Sequence, residues 1–339
     1  YPDAPWKEDT RHERNLKIWR EELDAFVPEK VLDFHVHVFA EGVIPEGQNW
    51  GPIGHPLNTY DYDDLAADLP LIYPGRETAA VCFGTPTVAY DRARSNAYNA
   101  RAAVPGRFFP LRLFDPLEDT PDETRRELET RGFYGIKPYL TYVRKPDPNQ
   151  VEIVEMVPDW IMEQVNDLGQ IVLLHIPRKA RLADPLNQQH IADLCRRYPR
   201  AKIVLAHVGR AYYLKSVVGH LDRLRELPNL WYDVAMVTHW EVLAHLFKTA
   251  RPDRVLYATD LPLAVAPGKS VEINDQYAYI TPIPTKLSIS DDHRKIVFTS
   301  FLYEELRACK KAMESLGLGR DYARGFFWEN GMALLSGVH

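Results

Sequence analysis

Cysteine is scarce in this sequence, which has only three among 339 residues: Cys82, Cys195 and Cys309. They are widely spaced and form no Cys-x-x-Cys pair, and their odd number argues against a disulfide framework. We therefore expect a reducing, cytoplasmic compartment. Because the first residue is Tyr1 rather than Met, a leader peptide removed earlier would leave no trace here.

The sequence also lacks long hydrophobic runs and an excess of positive charge. Its apolar runs are far shorter than the roughly 20 residues that span a bilayer, so we expect no membrane partner. The net charge of −6 and the pI near 6.1 make nucleic acid an unexpected partner. A composition of 45% hydrophobic and 26% charged residues is that of a soluble globular protein. The partner that we expect is a small anionic substrate, and a homo-oligomer is compatible with the sequence.

What the sequence does contain is a regular alternation of short apolar runs with amphipathic ones. The apolar runs predict strands at Val31–Val38, Ala79–Gly84, Phe108–Leu113, Tyr134–Tyr139, Ile171–His175, Lys202–Val208, Leu230–Val234 and Arg254–Thr259. The amphipathic runs predict helices at Asp61–Leu69, Ala93–Ala103, Thr120–Arg131, Pro158–Leu168, Asn187–Tyr198, Lys215–Leu227, Trp240–Thr249, Asp291–Leu316 and Tyr322–Leu335.

Eight strands that are each followed by a helix predict a (β/α)₈ TIM barrel, an α/β fold. We expect it to form a single domain over residues 1–339, with an N-terminal helical extension over residues 1–30. The alternative of a doubly wound open sheet is disfavoured, because no Gly-x-Gly-x-x-Gly turn follows the first strand. Long loops at Phe39–Tyr60 and Leu261–Ser290 follow strands one and eight, at the barrel end where active sites are built.

A His-x-His pair, His35 and His37, ends the first predicted strand. Side chains at positions i and i+2 of a strand leave the same face, so the two imidazoles point the same way. This spacing suits the binding of one metal ion. Taken alone, the pair is also compatible with two ordinary polar residues.

Further polar residues stand at the ends of other predicted strands. Lys137 lies in the fourth, His175 ends the fifth, His207 ends the sixth and Asp260 ends the eighth. The C-terminal ends of barrel strands meet on one face, so these side chains should approach the His-x-His pair. Imidazoles with a carboxylate are suitable ligands for a divalent ion. Each residue alone has a plainer explanation, as a core histidine or a turn-capping aspartate.

The order of these motifs resembles the amidohydrolase superfamily. The closest resemblance is to its branch called amidohydrolase family 2, which holds metal-dependent hydrolases, lactonases and non-oxidative decarboxylases. The motifs that carry it follow one another on successive strands: His-x-His, Lys, His, His-x-Gly and Thr-Asp-x-Pro. The resemblance spans about residues 31–336. The closing segment Phe327–Leu334 resembles the last helix of that branch, with Gly331 in place of the usual Ala.

The resemblance implies a site with one divalent ion, expected to be Zn²⁺, with Mn²⁺, Fe²⁺ or Co²⁺ as alternatives. The ligands that it implies are His35, His37, His175 and Asp260. Asp260 would in addition accept the proton of the attacking water. His207 would be the acid/base or carbonyl-polarising group beside the ion.

Three further residues stand beside these ligands in the scheme: Lys137, Asp33 and Asp233. In some superfamily members a carboxylated lysine of the fourth strand bridges two ions, and Lys137 stands at that position. We favour a single ion, because in family 2 this lysine is more often a substrate contact. Asp33 points to the strand face opposite the histidines, and Asp233 ends the seventh strand. Both are expected to support the ligands rather than bind the ion.

Basic residues near the strand ends predict an anionic substrate. Lys137, Arg178 and Arg210 lie at or just beyond strand C-termini, and Arg112 lies near the end of the third strand. Two of them at the barrel mouth would favour a carboxylate. Alternatively they are rim residues paired with Asp or Glu, which for Arg210 is an equally good interpretation. Three aromatic residues are candidates to wall a planar substrate, with simple packing as the alternative: Tyr139, Trp50 and Tyr90.

The sequence thus predicts a metal-dependent hydrolase that cleaves a C–N or C–O bond of an amide, cyclic amide or lactone carrying a carboxylate. The alternative is a metal-dependent non-oxidative decarboxylase of an aromatic or unsaturated acid, because family 2 runs both reactions on the same residues. A non-catalytic barrel that binds metal or ligand is disfavoured by the presence of both His207 and Asp260.

Overall fold

A ring of parallel strands forms the centre of the protein, whose computed structural model describes residues 10–51, 56–282, 288–290 and 295–338. The strands are rich in Val, Ile, Leu and Phe and are buried on both faces, as parallel strands covered by helices are. They are β1 (Lys30–His37), β2 (Glu77–Phe83), β3 (Phe108–Pro110), β4 (Arg112–Phe114), β5 (Gly135–Pro138), β6 (Ile171–Leu174), β7 (Lys202–Leu205), β8 (Leu230–Asp233) and β9 (Val255–Leu256).

The order of the strands around the ring follows the chain. Parallel pairing runs β1-β2-β3 and β4-β5-β6-β7-β8-β9. Strands β3 and β4 are separated only by Leu111 and together occupy one position in the ring. The amide of Leu111 donates to Cys82 O on one side. On the other side, the carbonyl oxygen of Pro110 accepts from the amide of Tyr134. All eight predicted strands are confirmed in position.

Hydrogen bonds also join the last strand position to the first. The amide of Phe34 donates to Tyr257 O at 2.9 Å, and the amide of His37 donates to Leu261 O at 2.7 Å. Between them, the amide of Asp260 donates to His35 O at 2.9 Å. These bonds place the end of the eighth strand position, with Asp260, directly beside the His-x-His pair. The (β/α)₈ prediction is confirmed.

Helices surround the ring, and several begin at side chains that cap their free amides. Asp61 and Asp184, for example, each accept two backbone N–H bonds at a helix start. The helices are α1 (Thr10–Ile18), α2 (Tyr62–Ile72), α3 (Arg92–Ala102), α4 (Pro121–Thr130), α5 (Ile153–Met156), α6 (Asp159–Leu168), α7 (Pro185–Arg197), α8 (Trp240–Thr249), α9 (Phe301–Ser315), α10 (Arg320–Arg324) and α11 (Asn330–Ser336). Wider π-helical turns at Trp19–Leu23 and Gly325–Glu329 extend α1 and join α10 to α11.

Two helix predictions are wrong in part. The run Lys215–Leu227 forms only a short 3₁₀ turn at Leu214–Ser216 followed by irregular turns, because Gly219 adopts a φ of +76° that ends any helix there. The prediction Asp291–Leu316 begins too early, and residues 291–294 lie outside the described ranges. Helix α9 starts at Phe301, where the Ser300 side chain accepts the amide of Tyr303.

The long connection predicted at Leu261–Ser290 is partly a small sheet. Strands β10 (Lys269–Ile273) and β11 (Gln276–Thr281) form an antiparallel hairpin, and β12 (Ser288–Ser290) pairs parallel to β11. The hairpin turn is Asn274-Asp275, with φ of +49° and +58° at the two residues. Two positive φ values in a two-residue turn match the right-handed twist of a hairpin, and Asn and Asp tolerate them well.

The lower end of the barrel is closed by the C-terminal helix. Leu334 and Leu335 of α11 join the apolar cluster of the barrel interior, which includes Leu32 and Phe34 of β1. A Cβ atom added to Gly331 would lie 2.6 Å from Leu32 Cδ2, so an alanine here would require the Leu32 side chain to shift. Within the described ranges, none of the helices combines the length and hydrophobicity that a bilayer-spanning segment needs.

Candidate metal centre and active site

The site lies at the C-terminal ends of the barrel strands, where β1 contains an irregularity. Asp33 pairs with Ala80, but Val36 pairs with Cys82, so β1 has one extra residue beside His35. Such a bulge turns side chains locally. Both imidazoles still converge, with Nε2 of His35 and of His37 lying 3.6 Å and 3.1 Å from Asp260 Oδ1.

Three histidines are held in one orientation by acceptors behind them. His35 Nδ1 donates to Asp233 Oδ2 at 2.9 Å, His37 Nδ1 to Gly84 O at 2.9 Å, and His207 Nδ1 to Ala235 O at 2.8 Å. Since a carbonyl or a carboxylate can only accept, Nδ1 carries the hydrogen in each ring. Each Nε2 therefore keeps a free lone pair, which is the arrangement of metal-binding histidines.

Asp260 meets these lone pairs at the end of the eighth strand position. One ligand atom each of His35, His207 and Asp260 lie within 4.8 Å of one another. Asp260 Oδ1 is buried and has no hydrogen-bond partner in the described part of the chain, although His37 Nε2 is only 3.1 Å away. Lone pairs and a carboxylate oxygen at such distances repel unless a cation lies between them, so these residues fit a divalent ion.

His175 lies at the edge of this group. Its ring stacks on Tyr139 with a centroid distance of 4.5 Å and meets His207 edge-on at 5.3 Å. Its Nδ1 is buried and has no hydrogen-bond partner among the described residues. Burial and the positive charge of Arg210 lower its pKa well below the usual value. The ring is therefore neutral at neutral pH, as metal binding requires.

Two buried carboxylates position the ligands from behind. Asp233 accepts from His35 with one oxygen and from the amide of His207, at 2.7 Å, with the other. Asp33 accepts the amides of His35 and Thr259 and the hydroxyl of Thr259. Burial raises the pKa of both, that of Asp33 to about 7. Asp233 thus bridges two site histidines, a closer involvement than its position in the sequence indicated.

Lys137 is a buried cation at the base of the site. Its Nζ lies 3.4 Å from His35 Nε2 and 4.6 Å from the centre of the Phe83 ring. Among the described residues, no carboxylate lies within ion-pair distance of it. Burial lowers its pKa to about 8. A cation without a carboxylate partner at this depth can receive an anionic group of a bound molecule.

The site opens into a cavity of about 670 Å³, within the size range of small-molecule sites. Of the aromatic residues predicted to wall it, Tyr139 and Trp50 line it and Tyr90 does not. The remaining lining residues come from the site itself, the loops and the hairpin: His35, His37, Pro86, Thr87, Val88, Ala89, Lys137, Thr141, His175, His207, Arg210, Tyr212, Asp260, Leu263, Tyr277 and Tyr279.

Two predicted substrate contacts lie elsewhere. Arg112 does not line the cavity, because its guanidinium binds Asp119 at 2.8 Å and Glu127 at 2.7 Å on the outer side of the ring. Arg178 is also absent from the lining, and its Nε donates to Asp184 at 2.9 Å. For both arginines, pairing with Asp or Glu, the alternative to substrate binding, is what the structure has. Arg210, for which pairing with an acid was an equally good interpretation, instead lines the cavity.

The correction for Arg112 leads to a stability prediction. Arg112→Met removes one cation from the buried carboxylates of Asp119 and Glu127, which keep only Arg92 and Arg131 as partners. We expect the free energy of unfolding in urea to fall by about 3 kcal/mol. Arg126→Met, on the exposed face of α4, is the control and should change it by less than about 0.5 kcal/mol. Unchanged stability of Arg112→Met with impaired turnover would contradict the assignment.

Residues with left-handed backbone conformation concentrate around the site. After β7, four consecutive residues, His207–Arg210, have φ between +53° and +64°, and Val208, a β-branched residue, is among them. Arg178, Met236 and Asp260 also have positive φ, each shortly after a barrel strand. L-residues other than Gly, Asn and Asp rarely adopt this conformation, and such strain clusters at functional sites.

A barrel with imidazoles and a carboxylate converging at its strand C-termini is typical of metal-dependent barrel enzymes. The sequence model of the amidohydrolase-2 family matches residues 32–298. The chain therefore belongs to the amidohydrolase-2 family, whose members are enzymes that include hydrolases and decarboxylases. No protein of curated function shows significant similarity to the sequence.

Several solved structures share the fold. A proposed 2-pyrone-4,6-dicarboxylic acid hydrolase from Pseudomonas putida has a TM-score of 0.57 at 17% identity, over 92% of this chain and 99% of that one. Amidohydrolase 2 from Bifidobacterium longum subsp. infantis has 0.56 at 16%, over 91% and 99%. A 2,6-dihydroxybenzoate decarboxylase from Rhizobium has 0.52 at 13%, over 91% and 99%. At these identities the similarity supports the fold alone.

Proposed function

We propose that the protein is a metal-dependent hydrolase that cleaves a C–N or C–O bond in a small carboxylated amide, cyclic amide or lactone. One observation carries the proposal: a buried carboxylate oxygen of Asp260 faces the free Nε2 lone pairs of His35 and His37 beside a small-molecule cavity. His207 completes the group from the next side. This set offers both cation ligands and proton acceptors.

We assign the ion to His35, His37, His175 and Asp260. A donor set of imidazole nitrogens and one carboxylate favours Zn²⁺ over Mn²⁺, Fe²⁺ or Co²⁺. When bound, such an ion supplies Lewis-acid chemistry that polarises a carbonyl oxygen and makes water more acidic.

The residues themselves handle the protons. Asp260 takes the proton of the attacking water at its free carboxylate oxygen. Burial lowers the pKa of His207 to about 4, so its Nε2 is unprotonated at neutral pH and can accept a proton. His207 takes the proton from Asp260 and gives it to the leaving nitrogen or oxygen, so the proton lost by the water ends on the leaving group. The ammonium group of Lys137, beside His35, contacts the oxygen on which negative charge develops or a nearby substrate carboxylate.

Decarboxylation of an aromatic or unsaturated acid is the second candidate function. The position of Lys137 supports it, because a buried cation 3.4 Å from His35 Nε2 can also hold the carboxylate that is lost as CO₂. His207 would then pass a proton taken from water to the carbon that CO₂ leaves. A non-catalytic metal-binding barrel is the third, and a metal count combined with an activity screen separates it from both enzymes.

Turnover in ¹⁸O-water with CO₂ trapping decides between the two reactions. The panel consists of lactones, amides and hydroxybenzoic acids, and the protein is loaded with Zn²⁺. We expect one heavy oxygen in the product and no CO₂, because Asp260 is placed to take the proton of an attacking water. Stoichiometric CO₂, with solvent hydrogen on the product carbon, would establish the decarboxylase instead.

A further inference from the structure

Arg210 is a half-buried arginine in the cavity wall, and no carboxylate pairs with it in the described part of the chain. Its Nη1 donates to Ile176 O at 3.0 Å, and its Nε is buried with no hydrogen-bond partner in the described ranges. Within the same ranges no Asp or Glu oxygen lies within ion-pair distance of it. Charges shielded from water are normally paired, and a bound anion can supply the counter-charge that the described residues do not give this guanidinium.

Arg112, a buried arginine elsewhere in the barrel, is paired with two carboxylates. Its Nε donates to the carboxylate of Glu127, and both terminal nitrogens donate to that of Asp119. Arg178, one strand position before Arg210, likewise has Asp184. Of the three, Arg210 alone lines the cavity, and it alone has no acid partner among the described residues. The missing partner therefore coincides with access to a bound molecule.

A second guanidinium increases the local positive charge. Arg181 donates to the hydroxyl of Tyr277 at 2.7 Å and lies 4.8 Å from the centre of that ring. Its Nη1 also donates to the backbone oxygen of Arg210, at 3.4 Å. No acid pairs with Arg181 in the part of the chain that is described. Two neighbouring cations repel each other, so an anion beside Arg210 relieves repulsion as well as pairing a charge.

The wall around Arg210 is aromatic. Tyr212 and Tyr277 face each other with a centroid distance of 4.8 Å, and Tyr277 and Tyr279 of β11 come from the hairpin that follows the eighth strand position. Tyr139 lines the same cavity on the side of His175. Flat rings suit a planar molecule, and their hydroxyls add donors for its polar groups.

We propose that Arg210 binds an anionic group of the substrate that is remote from the reacting bond, in a subsite walled by Tyr212, Tyr277 and Tyr279. The inference rests on the proposed function and specifies its substrate class: planar molecules with a reactive carbonyl or carboxyl at one end and a carboxylate at the other. The first group reaches His35, Asp260 and Lys137, and the second reaches Arg210. Arg210 is thus a specificity-determining residue and takes no part in bond cleavage.

Titration calorimetry on the Zn²⁺-loaded protein tests this. The probes are phthalate, isophthalate and terephthalate, which vary the separation of two carboxylates on one ring, each compared with its monoamide. We expect at least one dicarboxylate to bind about tenfold or more tightly than its monoamide, the usual contribution of a charge-assisted hydrogen bond. Arg210→Gln should abolish that preference, while the matched control Arg178→Gln keeps it.

Two results would overturn the assignment: no preference for any dicarboxylate in the wild-type protein, or an undiminished preference in Arg210→Gln. If Arg210→Gln does not fold, a crystal structure of the wild-type protein with the preferred dicarboxylate decides, since one carboxylate must lie within hydrogen-bond distance of Arg210. Binding is measured without turnover. An inactive protein that shows the preference therefore contradicts the proposed function alone, and an active one without it contradicts only the subsite.

Discussion

Replacing Asp260 by alanine should remove the divalent ion and reduce turnover to background. Its carboxylate is the only anion among the residues that line the described part of the cavity, and it lies against both His35 and His37. Without it, the imidazoles must hold a dication with no compensating charge. Metal content by inductively coupled plasma analysis and turnover on the substrate panel measure the two effects.

The choice of replacement matters because Asp260 has a φ of +72°. Alanine is strained in this conformation, whereas asparagine tolerates it. Asp260→Asn therefore keeps the backbone and removes only the charge, and it should also lose turnover. Full metal occupancy with unchanged activity in either variant would refute the assignment of Asp260. Two equivalents of metal in the wild-type protein, both lost in Lys137→Ala, would indicate a lysine-bridged pair of ions instead.

His207→Asn should separate proton transfer from metal binding. All four assigned ligands remain, so most of the metal should be retained, while kcat falls by about a hundredfold or more with the loss of a positioned acid/base. Asparagine also tolerates the φ of +55° at this position. Metal content, thermal unfolding and kcat of the variant are the measurements.

His220, which lies outside the cavity lining, supplies the matched control for this experiment. His220→Asn should leave metal content and kcat unchanged. A different result for His207→Asn would change the scheme. If metal is lost in proportion to activity, His207 is a ligand, in line with its place beside His35 and Asp260 within 4.8 Å.

The barrel could be predicted from the sequence because its strands are fully buried. Buried parallel strands are short, nearly continuous apolar runs, and polar residues at their ends are conspicuous. His175 after β6 and Asp260 near β9 could be found this way. The bulge in β1 could not, because one extra residue changes the pairing with β2 without altering the apolar pattern. The hairpin of β10 and β11 is only half-buried, so its alternating pattern was a weaker signal.

The arginines show where sequence reasoning ends. Arg178 and Arg210 stand at equivalent places after neighbouring strands, and no pattern in the sequence distinguishes them. The structure separates their roles through Asp184, which caps α7 and also accepts a hydrogen bond from Arg178. The left-handed turn after β7 carries Arg210 toward His175 instead. Such choices depend on a few backbone angles, to which hydrophobic patterns are insensitive.

The left-handed turn His207–Arg210 has a further consequence for which molecules the protein can accept. His207 and Arg210 stand at the two ends of this short, strained piece of backbone. The spacing between the imidazole and the guanidinium therefore does not depend on a mobile loop. A molecule that contacts both must match that spacing. We therefore expect its length to be selected more strictly than the substituents on its ring, and an insertion in this turn to change the accepted length.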